Sequence, residues 1–148
     1  MADDLNTALL MFIAARSAEN RILAALRRAG YDDITLAQAR VAARIGPDGT
    51  RLTDLAEQAQ VAKQTASFLV DQLERAGYVE RTVDPTDARA RLVRIARRGT
   101  EALPVARAEE ARIEAEWTEH LGVRRMKQLR EALTLLREIT DPYRSTGA

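Results

Sequence analysis

The run from Leu52 to Gly99 limits the possible folds of this chain more than any other feature. Two segments with the apolar spacing of amphipathic helices follow each other across a short turn, and two strand-like segments come next. Thr53 can cap the first helix, and Asp54 then lies in its first turn, where the helix dipole favours a negative charge. The apolar residues of this helix and of the turn after it are Leu55, Ala56, Ala59 and Val61.

The second helix is expected to run from about Lys63 to Ala76, and Gly77 then ends it in the left-handed conformation. One side of this helix carries apolar residues at the spacing of a buried stripe. A rotation of about 100° per residue places a polar set on the opposite, outer face. The buried stripe is Ala66, Leu69, Val70 and Leu73, whereas the outer face is Gln64, Phe68, Asp71 and Arg75, flanked by Lys63 and Ser67.

The strand-like segments predict an arginine-rich hairpin. Residues 78–83 and 92–95 favour strands, and Asp84-Pro85-Thr86-Asp87 between them is a turn signal. From Val79 to Arg98, six arginines stand against three acids, which gives a net charge of +3. A helix pair followed by such a hairpin is typical of a winged helix-turn-helix, in which the second helix enters the DNA major groove.

These residues resemble the MarR family of bacterial transcriptional regulators. The resemblance covers the central third of the chain, whereas the flanking helices agree with the family only in length and pattern. It implies a mainly α fold with a small β-wing, flanked by N- and C-terminal dimerisation helices. The matching motifs are Leu55-Ala56-Glu57, Leu69-Val70-Asp71 with Leu73-Glu74, Gly77-Tyr78-Val79-Glu80-Arg81, and the wing pattern Asp87-Ala88-Arg89 with Gly99.

The chain departs from the family pattern at four positions. Ala62 replaces the usual Ser or Asp before the second helix, and the missing cap is expected to cost roughly 1 kcal/mol. Gln60 stands at a turn position that is often Gly, and Ala96 replaces a Thr that usually caps the helix after the wing. Phe68 replaces an Arg on the outer face, so we expect base contacts that differ from those of relatives.

We expect the second helix and the wing to contact DNA. Gln64 pairs well with adenine and Lys63 with guanine, and both project from the first helical turn. Two interpretations of Phe68 remain open, because it can contact a thymine methyl group or fold sideways over the core of the helix pair. The expected contacts are Lys63, Gln64, Thr65, Ser67, Phe68, Arg89 and Arg91.

The wing tip also admits two interpretations. Arg89 can enter the minor groove or clamp a phosphate, with Asp87 orienting its guanidinium. The alternative is a salt bridge at the tip, which would be worth at most about 1 kcal/mol.

The remaining segments have the pattern of helices. We expect helices over residues 4–29 and 35–45, a long helix after the wing that Pro104 kinks or delays and that ends at Leu121, and a last helix from Val123. Residues 142–148 are expected to fray. Pattern alone favours an intramolecular core for the apolar stripes, which are Leu5, Leu9, Phe12, Ile22 and Leu26 in the first helix and Val123, Met126, Leu129, Leu133 and Leu136 in the last.

The family resemblance changes the interpretation of those stripes. It implies a homodimer formed through residues 1–30 and 100–141, with residues 31–99 as the DNA-binding part of a single compact protomer spanning residues 1–148. It also implies a small phenolic or lipophilic effector, although the sequence shows no residues that would bind one. The expected function is therefore a dimeric repressor on an inverted-repeat operator.

Composition argues against catalysis and membrane insertion. The chain has no Cys and a single His, His120, so neither an enzyme nor a transition-metal site is expected, and no cofactor is implied. The apolar run Ala8–Ala15 is far shorter than the ~20 residues that span a bilayer, and acids precede it, which predicts a cytoplasmic protein without a membrane partner. One alternative stays open, a winged helix used only for protein contacts.

Overall fold

The computed structural model describes residues 4–144 and contains two compact units, residues 1–109 and 110–148. Six helices and three short strands make up the described residues, which confirms the expected mainly α fold with a small β-wing. The elements are α1 Thr7–Arg28, α2 Leu36–Ala42, β1 Thr50–Arg51, α3 Leu52–Ala59, α4 Lys63–Arg75, β2 Val79–Asp84, β3 Asp87–Ile95, α5 Arg97–Leu121 and α6 Val123–Thr140.

The three strands form one antiparallel sheet with the order β1-β3-β2. Val93 of β3 pairs with Thr50 of β1 on one side and with Arg81 of β2 on the other. The sequence analysis missed β1, because a strand of two residues is too short to show an alternating pattern. The hairpin of β2 and β3 is called the wing below.

The core of the first unit lies between α4, the sheet and the neighbouring helices. All four predicted stripe residues of α4 are buried, as are Leu55 of α3 and Val93 of β3. Helix α1 contributes to this core only near its C-terminal end, through Leu23 and Leu26. Its N-terminal half carries exposed apolar residues instead, which are Leu9, Leu10, Phe12 and Ile13.

Helix ends agree with the sequence where backbone conformation decides them. Gly77 has φ +86°, and the N–H of Tyr78 donates to the carbonyl of Leu73 at 2.9 Å, which closes α4 as a Schellman motif. Ala62 is the N-cap of α4 and provides no side-chain hydrogen bond, as predicted. Gln60, at the position often taken by Gly, has φ 57° and ψ 44° in the left-handed region.

Three predicted helix starts or ends are wrong. Helix α1 begins at Thr7 rather than at residue 4, because the Asn6 side chain caps it by accepting from the N–H of Leu9. Helix α2 ends at Ala42 rather than at residue 45, and turn hydrogen bonds follow. Thr53 does not cap α3, because β1 leads directly into the helix and Arg51 is therefore the N-cap residue.

Helix α5 spans both units. It starts at Arg97, seven residues before Pro104, so the alternative of a late start at this proline is wrong. In the second unit, Gly122 with φ +89° separates α5 from α6, as predicted. Arg130 of α6 forms an ion pair with Glu114 of α5 at 3.0 Å. None of the helices among residues 4–144 is long and apolar enough to cross a membrane.

Candidate nucleic-acid interface

The outer face of α4 is open to solvent. Lys63, Gln64 and Thr65 are exposed, and Ser67 is half-buried. Phe68 is 56% exposed, so the interpretation in which it folds over the core of the helix pair is wrong. The core beneath is filled without it, because the buried stripe of α4 packs inward. The exposed face thus carries a cation, hydroxyl and amide groups, and one aromatic ring.

The N-terminal end of α4 favours anions. Its first turn contains no acid, and no side chain caps it. The backbone N–H groups of this turn, together with the positive end of the helix dipole, therefore face outward beside Lys63.

Asp84 anchors the wing to the start of α3. Its carboxylate accepts hydrogen bonds from the Thr86 hydroxyl at 2.7 Å, from the Thr86 N–H at 2.8 Å and from Nε of Arg51 at 2.7 Å. These donors, with the Thr86 hydroxyl first among them, lower the pKa of Asp84 from its ordinary value of 3.8 to about 2. Since Arg51 is also the N-cap residue of α3, the turn of the wing is tied to the helix pair.

The wing tip presents two arginines. Asp87 accepts a hydrogen bond from the backbone N–H of Arg89 at 3.0 Å, so it orders the backbone rather than the guanidinium as expected. Nη1 of Arg91 donates to the carbonyls of Ala88 and Ala90, each at 3.3 Å. Both arginines are exposed, and neither forms an ion pair with a carboxylate among residues 4–144, which removes the alternative of a tip salt bridge.

Sequence reasoning missed the role of Arg81. Its guanidinium binds Asp71 at 2.7 Å and Glu74 at 2.8 Å, and its N–H donates to the Glu74 carboxylate at 3.1 Å. Both acids lie on α4, so this arginine joins β2 to the recognition helix. The motif that ends in Arg81 was visible in the sequence, but the pairing depends on how the strand returns past the helix.

A second missed cluster lies where α5 begins. Nη1 of Arg98 donates to Asp33 at 2.6 Å and to the carbonyl of Ala76 at 3.1 Å, and the Tyr78 hydroxyl donates to the same carboxylate. The hydrogen bond from Arg98 lowers the pKa of Asp33, whereas burial and the neighbouring carboxylate raise the pKa of Tyr78. These contacts connect the end of α4 with the first turn of α5.

Comparisons with known proteins agree with this geometry. A sequence model described as the MarR family matches residues 32–90. The crystal structure of MarR is 28% identical, covers 90% of this chain and 96% of its own, and superposes with a TM-score of 0.71. The transcriptional regulator PA4135 is 25% identical, covers 91% and 98% of the two chains, and also has a TM-score of 0.71. No curated protein sequence matches the chain.

A more distant structure has the same fold. MepR of S. aureus, solved bound to an oligodeoxyribonucleotide, is 20% identical, covers 91% of this chain and 98% of its own, and has a TM-score of 0.58. MepR has also been solved bound to ethidium bromide. The proteins matched here are transcriptional regulators rather than enzymes. Residues 32–90 thus confirm the predicted MarR resemblance, and the chain has the fold of the MarR-family transcriptional regulators.

Proposed function

We propose that this chain regulates transcription by binding double-stranded DNA as a homodimer. The observation that carries the proposal is the outer face of α4, which is exposed and polar beside a wing whose tip arginines have no acidic partner. A helix that is buried on one side and open on the other can enter the major groove without unfolding. The DNA-bound MepR structure of the same fold supports this arrangement.

The first turns of α4 are assigned to base recognition. Gln64 and Lys63 match the hydrogen-bonding edges of adenine and guanine, and Thr65 and Ser67 add hydroxyl groups that contact bases or phosphates. Phe68 adds an apolar contact, argued further in the Discussion. Replacing Gln64 with Ala should cost about 1–3 kcal/mol on a selected operator and little on random DNA.

The wing is assigned to the DNA backbone. Arg89 and Arg91 project from a tip whose backbone Asp87 holds in place. Each phosphate that an arginine neutralises releases counterions, so binding weakens as salt rises. Arg89→Ala should weaken binding on all sequences and reduce the salt slope by about one. Arg97→Ala is the charge-matched control, because Arg97 lies outside the wing and its side chain is 93% exposed.

Exposed apolar residues on two helices support a dimer. Leu9 and Phe12 are exposed on α1 in the first unit, and Leu129 and Leu133 are exposed on α6 in the second. Single exposed apolar residues are common, but repeated ones on one helix face mark association surfaces. We therefore assign residues 1–30 and 100–141 to dimerisation and residues 31–99 to DNA. A two-fold dimer presents two copies of α4, which implies an inverted-repeat operator.

Oligomeric state tests this assignment directly. Lysine at Leu129 and Leu133 together should abolish the dimer and leave monomer or aggregate. Leu135→Lys is the control, since Leu135 lies about 200° around α6 from Leu133. Light scattering that shows a stable monomer for the native chain at micromolar concentration would contradict the proposal.

Repression and release complete the proposal. A dimer seated on an operator that overlaps a promoter excludes polymerase, and a small phenolic or lipophilic effector then releases it. The ethidium complex of MepR supports an effector of this class.

The decisive experiment is selection of binding sites from random duplexes, followed by gel-shift titration. The expected result is an inverted repeat that binds the dimer more tightly than random DNA does. No affinity for any duplex at low salt would overturn the proposal and leave a winged helix that contacts only proteins.

A further inference from the structure

Arg81 stands at the junction of the wing and the recognition helix. Its side chain is 24% exposed and reaches two carboxylates of α4, those of Asp71 and Glu74. Three hydrogen bonds of 2.7 to 3.1 Å fix the contact, and one of them comes from the backbone of Arg81 itself. The planar guanidinium can bind two acids at once, which the point charge of a lysine cannot do with the same geometry.

The two acids are in an unfavourable place for a DNA-binding protein. Asp71 lies on the outer face of α4, and the side chains of Asp71 and Glu74 are 51% and 42% exposed. Carboxylates beside a phosphate backbone repel it, and the repulsion extends over a Debye length of about 10 Å at 0.1 M salt. Without a partner, these acids would offset the attraction that the wing arginines provide.

We propose that Arg81 is a positioning residue that masks Asp71 and Glu74 from the DNA backbone and sets the wing against the recognition helix. The inference rests on the proposed function and deepens it. Arg81 does not contact DNA in this scheme. Its positive charge is used on the two acids, and Arg89 and Arg91 at the tip supply the phosphate contacts.

The face of the wing supports this division of roles. Arg81 pairs across the strands with Val93, and Val83 pairs with Arg91, so all four side chains share one face of the hairpin. Along that face, the inner arginine binds acids of α4, whereas the outer arginine at position 91 binds only nearby carbonyls. The same face thus changes from neutralised near the helix to positively charged near the tip.

The test uses the full-length protein on random-sequence duplex DNA. Arg81→Gln should weaken binding roughly fivefold or more at about 0.1 M salt and reduce the salt slope by about one, because two unmasked acids oppose counterion release. Adding Asp71→Asn to Arg81→Gln should restore most of the affinity. Adding Glu80→Gln instead makes the same charge change on the opposite face of β2, where no contact with Arg81 exists, and should restore much less.

A companion variant keeps the test valid if Arg81→Gln unfolds. Asp71→Asn with Glu74→Gln in the otherwise native chain releases Arg81 from both acids, and should raise affinity for random DNA several-fold and steepen the salt slope. Arg81→Lys should bind between the native protein and Arg81→Gln.

The outcomes separate the two proposals. If the native protein binds no duplex, the proposed function fails. If it binds, and Arg81→Gln lowers only the melting temperature while affinity and salt slope stay unchanged, the masking role fails and Arg81 is a structural tie. Equal rescue by Asp71→Asn and Glu80→Gln would also overturn masking, since it would show a dependence on net charge alone.

Discussion

The guanidinium carbon of Arg98 lies 4.4 Å from the ring centroid of Tyr78, which is a cation–π contact. Asp33 accepts hydrogen bonds from both residues, so the three side chains form a closed cluster. Arg98 belongs to the first turn of α5, Tyr78 follows the recognition helix, and Asp33 precedes α2. The cluster therefore holds three chain segments of the first unit together.

Removing Arg98 should destabilise the first unit. Arg98→Ala loses the hydrogen bonds to Asp33 and Ala76 and the aromatic contact, and we expect a loss of about 1–2 kcal/mol, reduced from the buried case because the side chain is partly exposed. Arg97→Ala is the matched control and should change stability by less than about 0.5 kcal/mol. Urea unfolding measures both, and equal effects would contradict a special role for Arg98.

Gly99 should not tolerate alanine, although it lies in a helix. A Cβ atom there would overlap the carbonyl oxygen of Tyr78 and approach Cγ2 of Ile95 to 2.8 Å. That carbonyl is held by the N–H of Ala96 at 2.9 Å and cannot easily move. In an open helix, Gly→Ala gains up to about 1 kcal/mol. Here we expect a loss of about 1–3 kcal/mol by overpacking.

The control for that substitution is Gly46→Ala. A Cβ atom at Gly46 would meet its nearest neighbour, the Thr50 hydroxyl, at an ordinary 3.5 Å. Thermal unfolding should therefore show little change or a small gain. A Gly99→Ala variant that is as stable as this control would show that the close approach relaxes at no cost.

Restoring a cap at position 62 should stabilise the protein. Ala62 already has the extended backbone of an N-cap residue, with φ −60° and ψ 146°, but no oxygen to accept from the first turn of α4. Ala62→Ser should add about 1 kcal/mol to the free energy of unfolding. Ala62→Val, which has no acceptor, should give no gain, and a gain of the same size with valine would contradict the capping explanation.

Acid should destabilise the wing through Asp84. Its pKa is about 2 in the folded protein and near 3.8 when unfolded, so its stabilisation is complete above pH 5 and is lost as the pH falls from there towards 2. The free energy of unfolding should fall less steeply over that range in Asp84→Asn than in the native protein. Thr86→Val removes the hydroxyl that lowers this pKa most, and should give an intermediate slope.

Phe68 should recognise a thymine methyl group on the selected operator. An apolar side chain can contact this group in the major groove, and 56% exposure leaves the ring available. Replacing thymine with uracil at one half-site position should weaken binding by the native protein but not by Phe68→Ala. Binding should also depend less on salt than in relatives with Arg there. If the uracil penalty persists in Phe68→Ala, methyl recognition fails.

Local physics made much of the fold predictable. The stripe of α4 followed from helical spacing, and the end of that helix followed from Gly77, since few other residues adopt a positive φ at low cost. The exposed outer face followed from the same spacing. The open alternatives at Phe68 were settled only by the structure, because spacing shows where a side chain starts and not where it folds.

Contacts between distant segments could not be predicted in this way. Strand β1 exists because β3 returns beside it, and its position makes Arg51 the N-cap residue in place of Thr53. Asp87 was predicted to bind a guanidinium, yet a carboxylate two residues before a backbone N–H forms a local turn more readily. The ion pairs of Arg81 depend on the packing of β2 against α4, on which a linear pattern carries no information.

Helix α1 divides its length between two tasks. Leu23 and Leu26 near its C-terminal end are buried in the core of the first unit, whereas Leu9 and Phe12 are exposed several turns earlier. A helical half without tertiary packing is marginal in water, so the order of that half is thermodynamically linked to whatever covers it. If that partner is a second protomer, amide exchange should slow with rising protein concentration at Leu9 and stay constant at Leu26.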